Sequence, residues 1–141
     1  MIFHNTLASS AYGFLEHGSF LPRPNYFAVL LWNRLMGTTV YDTHEEIREG
    51  AHVYCHSRKD GKDGYVYLII NNSKETTLVD LPAEAVRYTL SGSGKLRSRT
   101  MLLNGRELKL GPDDMLPEMP GAYESAGTVK LAPGSCTFFV I

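Results

Sequence analysis

Apolar residues are nearly continuous in one early segment of the chain. From Tyr26 to Met36 the sequence reads YFAVLLWNRLM, and only Asn33 and Arg34 interrupt the apolar residues. A helix on the surface of a globular protein shows one polar side, whereas a helix that is apolar on most faces is covered on several sides. We therefore predict a helix over residues 26–36 that lies between two bodies, with Trp32 packed in a core.

The residues on either side of this segment predict where the helix begins and ends. Pro22 and Pro24 are expected to exclude helical structure before Asn25, and asparagine is a favourable N-cap. Gly37 follows the last apolar residue, as a glycine at the C′ position does. The predicted helix thus has a defined boundary at both ends.

After residue 37 the pattern changes to short strands separated by turns. The run YVYLIIN, residues 65–71, is apolar on both alternating faces, which predicts a central strand packed on both sides. Asn104-Gly105 between two apolar runs predicts a tight hairpin. The other predicted strands are residues 38–42, 51–57 and 76–81, the run AVRYTLSG, and two closing strands interrupted at Pro133-Gly134.

These elements predict a mainly β protein with two parts. Seven or eight short strands with regular turns indicate an antiparallel β-sandwich over residues 38–141. Residues 1–37 read as a strand (residues 1–7), a loop and the apolar helix. This is one β/α unit in front of an all-β domain, and we expect it to be the terminal unit of a (β/α)₈ barrel. The far side of the helix should then face a β/α domain.

Composition and charge restrict the partners of the chain. With 141 residues, a net charge of −1 and an isoelectric point near 6.5, the chain is not expected to bind nucleic acid or an anionic membrane. No apolar run reaches the length of a membrane span. The start MIFHNTLASS lacks the features of a secretory signal, so a secreted or periplasmic parent would need a signal upstream, and the localisation stays open.

Cysteines and histidines give no strong indication of a cofactor or metal. Cys55 and Cys136 both lie in predicted strands, where they are buried free thiols or form a mutual bridge. His52 and His56 share one face of a strand without an evident third ligand, and we expect them at an edge or on the surface. We predict no metal site and no cofactor.

Three segments of the chain resemble one known family in the right order. The first is HNTLASSAYGFLEHGSFLPRPNYFAVLLWNRLMGTTVYD, the second is MLLNGRELKL followed by LPEM, and the third is the terminal APGSCTFFVI. They resemble the last barrel unit, the domain junction and the end of glycoside hydrolase family 79, the heparanase and β-glucuronidase family. The resemblance implies a (β/α)₈ catalytic barrel with a β-sandwich at its C-terminus, and this chain would be the last barrel unit plus the sandwich.

The resemblance also implies which residues act. Retaining glycosidases use two carboxyl groups, and in this family both come from glutamates on earlier barrel strands. No acidic residue here matches those motifs, so no catalytic residue is predicted and the chain alone should be inactive. By resemblance, Tyr12 and the backbone N–H matching Ser10 bind the carboxylate of a uronic acid, although Ala11 departs from the polar residue frequent in the family. The alternative is that Tyr12 packs beneath its loop.

Three functions follow from these observations. In the first, the chain is the non-catalytic C-terminal region of a family 79-like hydrolase of a glucuronide or uronic-acid-containing glycan. It would support the barrel and contribute a uronate-recognition loop. Family members also build part of the sandwich from residues that precede the barrel, so the sandwich here is expected to lack a strand. The alternatives are a free-standing carbohydrate-binding sandwich and a purely structural module.

Overall fold

The computed structural model of the chain describes residues 6–45, 50–94 and 97–141. It contains one α-helix, α1 (Pro24–Leu35), and a single 3₁₀ turn, Pro112–Asp114. No helix in these ranges is both long enough and apolar enough to cross a membrane. The strands are β1 (Met36–Tyr41), β2 (Ala51–Arg58), β3 (Tyr65–Asn71), β4 (Thr77–Leu81), β5 (Ala85–Gly92), β6 (Met101–Leu103), β7 (Arg106–Glu107), β8 (Ala122–Glu124), β9 (Gly127–Leu131) and β10 (Ser135–Val140).

The strands form a large sheet and a small one, and all pairs are antiparallel. The large sheet has eight strands in the order β1-β2-β3-β10-β5-β6-β7, with β8 also paired to β5. The small sheet consists of β4 and β9. The predicted mainly β architecture, an antiparallel sandwich after a helix, is confirmed.

The two neighbouring central strands, β3 and β10, carry apolar side chains on both faces of the large sheet. Phe138 and Phe139 are consecutive, point to opposite faces and are 1% and 0% exposed. Phe138 lies in the core beneath α1, together with Val66, Leu68 and Leu90. Phe139 lies in the core beneath the small sheet, together with Ile69, Val129 and Leu131. The large sheet is therefore the middle layer of three.

The helix begins two residues earlier than predicted. Its first residue is Pro24 and its N-cap is Arg23, whose side chain makes no capping hydrogen bond. Proline is tolerated at the first helical position because the amide hydrogen that it lacks has no partner within the helix. The prediction that Asn25 caps the helix was therefore wrong. Its side chain bonds elsewhere, as described below.

Gly37 lies at the predicted C′ position, directly after the C-cap Met36, but it does not have the left-handed conformation of a capping glycine. Met36 has the extended conformation φ −83°, ψ 122°, so α1 runs into β1 without a connecting loop. Gly37 lies inside β1, where a Cβ atom would come within 2.3 Å of Ser57 Oγ and 2.7 Å of the Ser57 carbonyl oxygen. Glycine is needed here because the two strands approach too closely for any side chain.

Only one side of α1 is covered by the described chain. Phe27 and Leu31 are buried against the large sheet, whereas Val29 and Trp32 are 49% and 39% exposed. The predicted burial of Trp32 is therefore wrong for this chain, although one edge of the indole contacts the His56 ring at a centroid distance of 5.0 Å. His56 itself is buried, with Nδ1 2.8 Å from the Gly37 carbonyl oxygen, which corrects its expected edge or surface position.

The predicted hairpin at Asn104-Gly105 is confirmed. Both residues have positive φ, 47° and 82°, as a tight two-residue turn requires. The Asn104 side chain also accepts a hydrogen bond from the Thr89 amide at 2.9 Å and donates one to the Arg87 carbonyl at 3.2 Å. The turn therefore fixes the register of β5 as well as reversing the chain.

We predict that Gly37→Ala lowers the free energy of unfolding by about 1–3 kcal/mol, because the new methyl group forces β1 and β2 apart. Urea denaturation followed by circular dichroism measures this loss. The matched control is Gly111→Ala, since Gly111 has a negative φ and its nearest neighbour would be 3.6 Å from the new Cβ. An unchanged midpoint for the first variant would show that the two strands separate without cost.

Candidate functional site

The segment in front of α1 folds into a loop that is closed on itself. The Leu15 amide donates to the Leu7 carbonyl at 2.9 Å, and Leu15 forms an isolated antiparallel bridge with Pro22. The Arg23 amide donates to the Phe14 carbonyl at 2.8 Å and closes the loop against the start of the helix. The predicted strand over residues 1–7 lies mostly outside the described residues, because the description begins at residue 6.

The two residues expected to recognise a uronate lie in the same turn of this loop. The Gly13 amide donates to the Ser10 carbonyl at 3.2 Å, which defines a turn over residues 10–13. Tyr12 lies within this turn and is 60% exposed, which argues against the alternative that it packs beneath the loop. Ser10 Oγ is buried and has no hydrogen-bond partner among the described residues. The assignment of Tyr12 and Ser10 to a uronate stays a prediction.

Two side chains at the start of the helix hold this turn, although the sequence indicated no role for Arg23 and only a capping role for Asn25. Arg23 Nη1 donates to the Ser10 carbonyl at 3.0 Å and also to the Ala11 carbonyl. Asn25 Nδ2 donates to the carbonyls of Tyr12 and Gly13 at 3.2 and 3.4 Å. Four consecutive carbonyl groups therefore face two side chains. The only unusual feature of the sequence at this point is Arg23 between Pro22 and Pro24, and it does not indicate which carbonyl groups the arginine contacts.

The described carboxylates lie mainly on the surface or in ion pairs. Arg58 hydrogen-bonds the Asp60 carboxylate at 2.7 Å and lowers the pKa of Asp60 to about 2, so this group stays ionised and is unsuited to donate a proton. Glu124 pairs with Arg87 at 2.6 Å, and Glu16 lies 3.6 Å from Arg99. None of them is assigned a catalytic role. Within the described ranges, no three acidic, histidine or cysteine side chains come together as metal ligands.

The two cysteines are free thiols on opposite faces of the large sheet. Cys55 lies opposite Tyr67 in the β2–β3 register, and Cys136 lies opposite Ile70 in the β10–β3 register. Tyr67 and Ile70 are an odd number of residues apart, so their side chains and those of the cysteines face opposite ways. Burial raises the pKa of both thiols, that of Cys136 to about 11. Of the two alternatives, the free thiols are observed rather than the bridge.

A cleft of about 810 Å³ lies between the large sheet and the free side of β4. Its floor is formed by side chains of β2 and β3, including Val53, Cys55 and Tyr67, and Tyr41 and Asp80 also line it. Strand β4 pairs with β9 on one side, and no second partner strand occurs among the described residues. The described chain thus leaves one edge of the small sheet open above an apolar floor.

Comparison with known proteins identifies relatives over nearly the whole chain. Baicalin-β-D-glucuronidase of Scutellaria baicalensis is 30% identical over 94% of this chain and 27% of its own length. Heparanase-like protein 2 of Arabidopsis thaliana is 30% identical over 98% of this chain and 34% of its own length. Heparanase of Gallus gallus is 32% identical over 92% of this chain and 26% of its own length. No family model matches the chain.

The β-rich fold and these relatives define the class of protein. The chain is homologous to β-glucuronidase and heparanase-like proteins. The predicted resemblance to glycoside hydrolase family 79 is confirmed. The chain spans about a quarter to a third of the length of the curated relatives it matches.

The raised pKa of Cys136 predicts a pH-dependent stability. Its pKa is about 11 in the folded chain, against about 8.5 for an exposed thiol. Because the folded-state pKa is the higher one, this contribution to stability is complete below about pH 8.5 and is lost as the pH rises towards 11. Urea midpoints between pH 8 and pH 10.5 should fall, and Cys136→Ala should remove part of this fall. An identical pH slope in the variant would show that the thiol does not contribute.

Proposed function

We propose that the chain is the non-catalytic C-terminal region of a family 79-like glycoside hydrolase. In this proposal residues 1–37 are the last β/α unit of a catalytic (β/α)₈ barrel, and residues 38–141 are a β-sandwich that supports it. The turn over residues 10–13 contributes Tyr12 and the Ser10 amide to a subsite for a uronate carboxylate. The glutamates that cleave the glycosidic bond belong to other parts of the barrel. The substrate is a glucuronide or a glycan containing uronic acid.

The observation that carries this proposal is the uneven burial of α1. Phe27 and Leu31 are fully packed against the sandwich, whereas Val29 and Trp32, on the same helix, are 49% and 39% exposed. Exposed large apolar side chains on an otherwise packed helix are typical of a surface that contacts a partner. The relatives are three to four times as long as this chain, so they contain enough additional residues to supply a barrel.

The cleft beside β4 supports the same proposal at the other face of the large sheet. An open strand edge above an apolar floor accepts one further extended segment, which adds main-chain hydrogen bonds to β4 and side chains to the floor. The resemblance implies that such a segment precedes the barrel in the parent enzyme. The added segment would then cover Val53, Cys55 and Tyr67, which form the floor of the cleft.

A second candidate function is the binding of a sugar in the same cleft, favoured by its tyrosines. Tyr41 and Tyr65 are about 40% exposed and their rings are 5.2 Å apart. However, these two rings meet edge to face at 83°, and Tyr65 and Tyr67 are tilted by 50°. The rings therefore do not form the flat row on which a sugar chain stacks, and the cleft fits an added strand better.

A chimera tests the main proposal. This chain replaces the 141-residue matched part of the Scutellaria baicalensis protein, and hydrolysis of an aryl β-glucuronide is measured. We expect the chimera to hydrolyse the substrate and the same protein without the segment to be inactive.

In the chimera, Tyr12→Phe should raise KM for the aryl β-glucuronide by about tenfold, because one charge-assisted hydrogen bond to the carboxylate is lost.

The exposed side of α1, which carries Val29 and Trp32, is tested in the same chimera as a contact surface for the barrel. Trp32→Asp should reduce activity or assembly at least about tenfold, because a desolvated aromatic anchor is replaced by a charge. The matched control is Val40→Asp, at an exposed position in β1 that the proposal leaves outside the barrel contact. A chimera that melts cooperatively but does not hydrolyse the glucuronide would contradict the proposed function.

Titration calorimetry of the isolated chain separates the two candidate functions. We expect no saturable binding of uronic-acid oligosaccharides up to millimolar concentration, because the described chain offers only one part of a subsite and no flat aromatic row. Saturable binding that Tyr65→Ala abolishes would instead assign a sugar site to the cleft.

A further inference from the structure

Two side chains at the start of α1 hold the turn over residues 10–13. Arg23 Nη1 contacts the carbonyl oxygens of Ser10 and Ala11, and Asn25 Nδ2 contacts those of Tyr12 and Gly13. The two donors are two residues apart, with Arg23 at the N-cap of α1 and Asn25 in its first turn, so both are anchored at the start of the helix. Each of the four carbonyl oxygens from residue 10 to residue 13 therefore has a side-chain donor at the start of α1.

Because peptide groups are planar and trans, the direction of these carbonyl groups also determines the direction of the neighbouring N–H groups. In a trans peptide the N–H of each residue points opposite to the carbonyl of the residue before it. The carbonyls of Ser10 and Ala11 face Arg23, so the N–H groups of Ala11 and Tyr12 are directed away from it. Amides aligned on one side of a turn create a partial positive potential suited to an anion.

We propose that Arg23 and Asn25 are positioning residues for uronate recognition, acting through the backbone of residues 10–13. This rests on the proposed function, because it assigns a purpose to the same turn. The two side chains hold the turn so that the amides of Ala11 and Tyr12 and the Tyr12 side chain face the carboxylate of the sugar. They also add the Ala11 amide to the expected donors. This compensates for the side chain at this position, which has no polar group.

Arg23 has a second effect, through its charge. Its guanidinium group lies within hydrogen-bond distance of the turn that would hold the carboxylate, and it is partly buried. A positive charge at this distance, shielded from part of the solvent, favours an anionic ligand over a neutral one of the same shape. Arg23 therefore contributes to the discrimination between a uronate and a neutral sugar without direct contact with either.

The first test uses the full chain and does not depend on the proposed function. Amide hydrogen exchange is measured for Gly13, whose N–H donates to the Ser10 carbonyl, in Arg23→Leu and Asn25→Ala. We expect exchange to become at least about tenfold faster in this turn, corresponding to about 1.4 kcal/mol. The matched controls are Arg34→Leu and Asn33→Ala, which change the same residue types at exposed positions of the same helix. Unchanged exchange in both variants would overturn the positioning role.

The second test measures specificity in the chimera. Inhibition by glucuronate should weaken about tenfold in Arg23→Leu, corresponding to about 1.4 kcal/mol, and partly recover in Arg23→Lys, while inhibition by glucose should not change. An equal loss for both sugars would show a merely structural role and overturn the proposal. If glucuronate fails to inhibit even the unmodified chimera, the proposed function fails together with the recognition role, although faster exchange would still show that the two side chains order the turn.

Discussion

The structure depends on burial of both faces of the two central strands. Phe138 and Phe139 follow one another in β10, and because consecutive side chains in a strand point to opposite faces, each needs its own covering layer. α1 covers the first and the small sheet of β4 and β9 covers the second. Truncation of either phenylalanine would cost about 3–5 kcal/mol. The helix is therefore part of the core of the sandwich, even though the proposed domain boundary follows it.

The strands could be predicted from the sequence because their signals are local. The run over residues 65–71 matches β3 in full, and Asn104-Gly105 forms the expected hairpin, since alternation and turn chemistry are decided by neighbouring residues. The ends of the helix could not be predicted in the same way. Gly37 has the same position relative to the helix as a cap would, but its role is set by Ser57, twenty residues later.

The candidate site was only partly accessible from the sequence, for the same reason. Tyr12 and Ser10 were named through resemblance to a family, whereas Arg23 and Asn25 act on backbone oxygens more than ten residues earlier. Contacts between a side chain and a distant main chain leave no periodic pattern. Trp32 shows a related difficulty, because the apolar run predicted its burial whereas the side chain is 39% exposed.

The direct passage from α1 into β1 has a mechanical consequence. Helix and strand share a continuous backbone at Leu35–Met36, and the close approach of Gly37 to Ser57 ties that junction to β2. No loop separates the large sheet from the helix whose first residues include Arg23 and Asn25. Strain introduced at the outer strands of the sheet would therefore be transmitted along the helix to the turn at its other end. The sandwich and the helix would thus move as one rigid unit, and the large sheet would fix the orientation of the turn over residues 10–13.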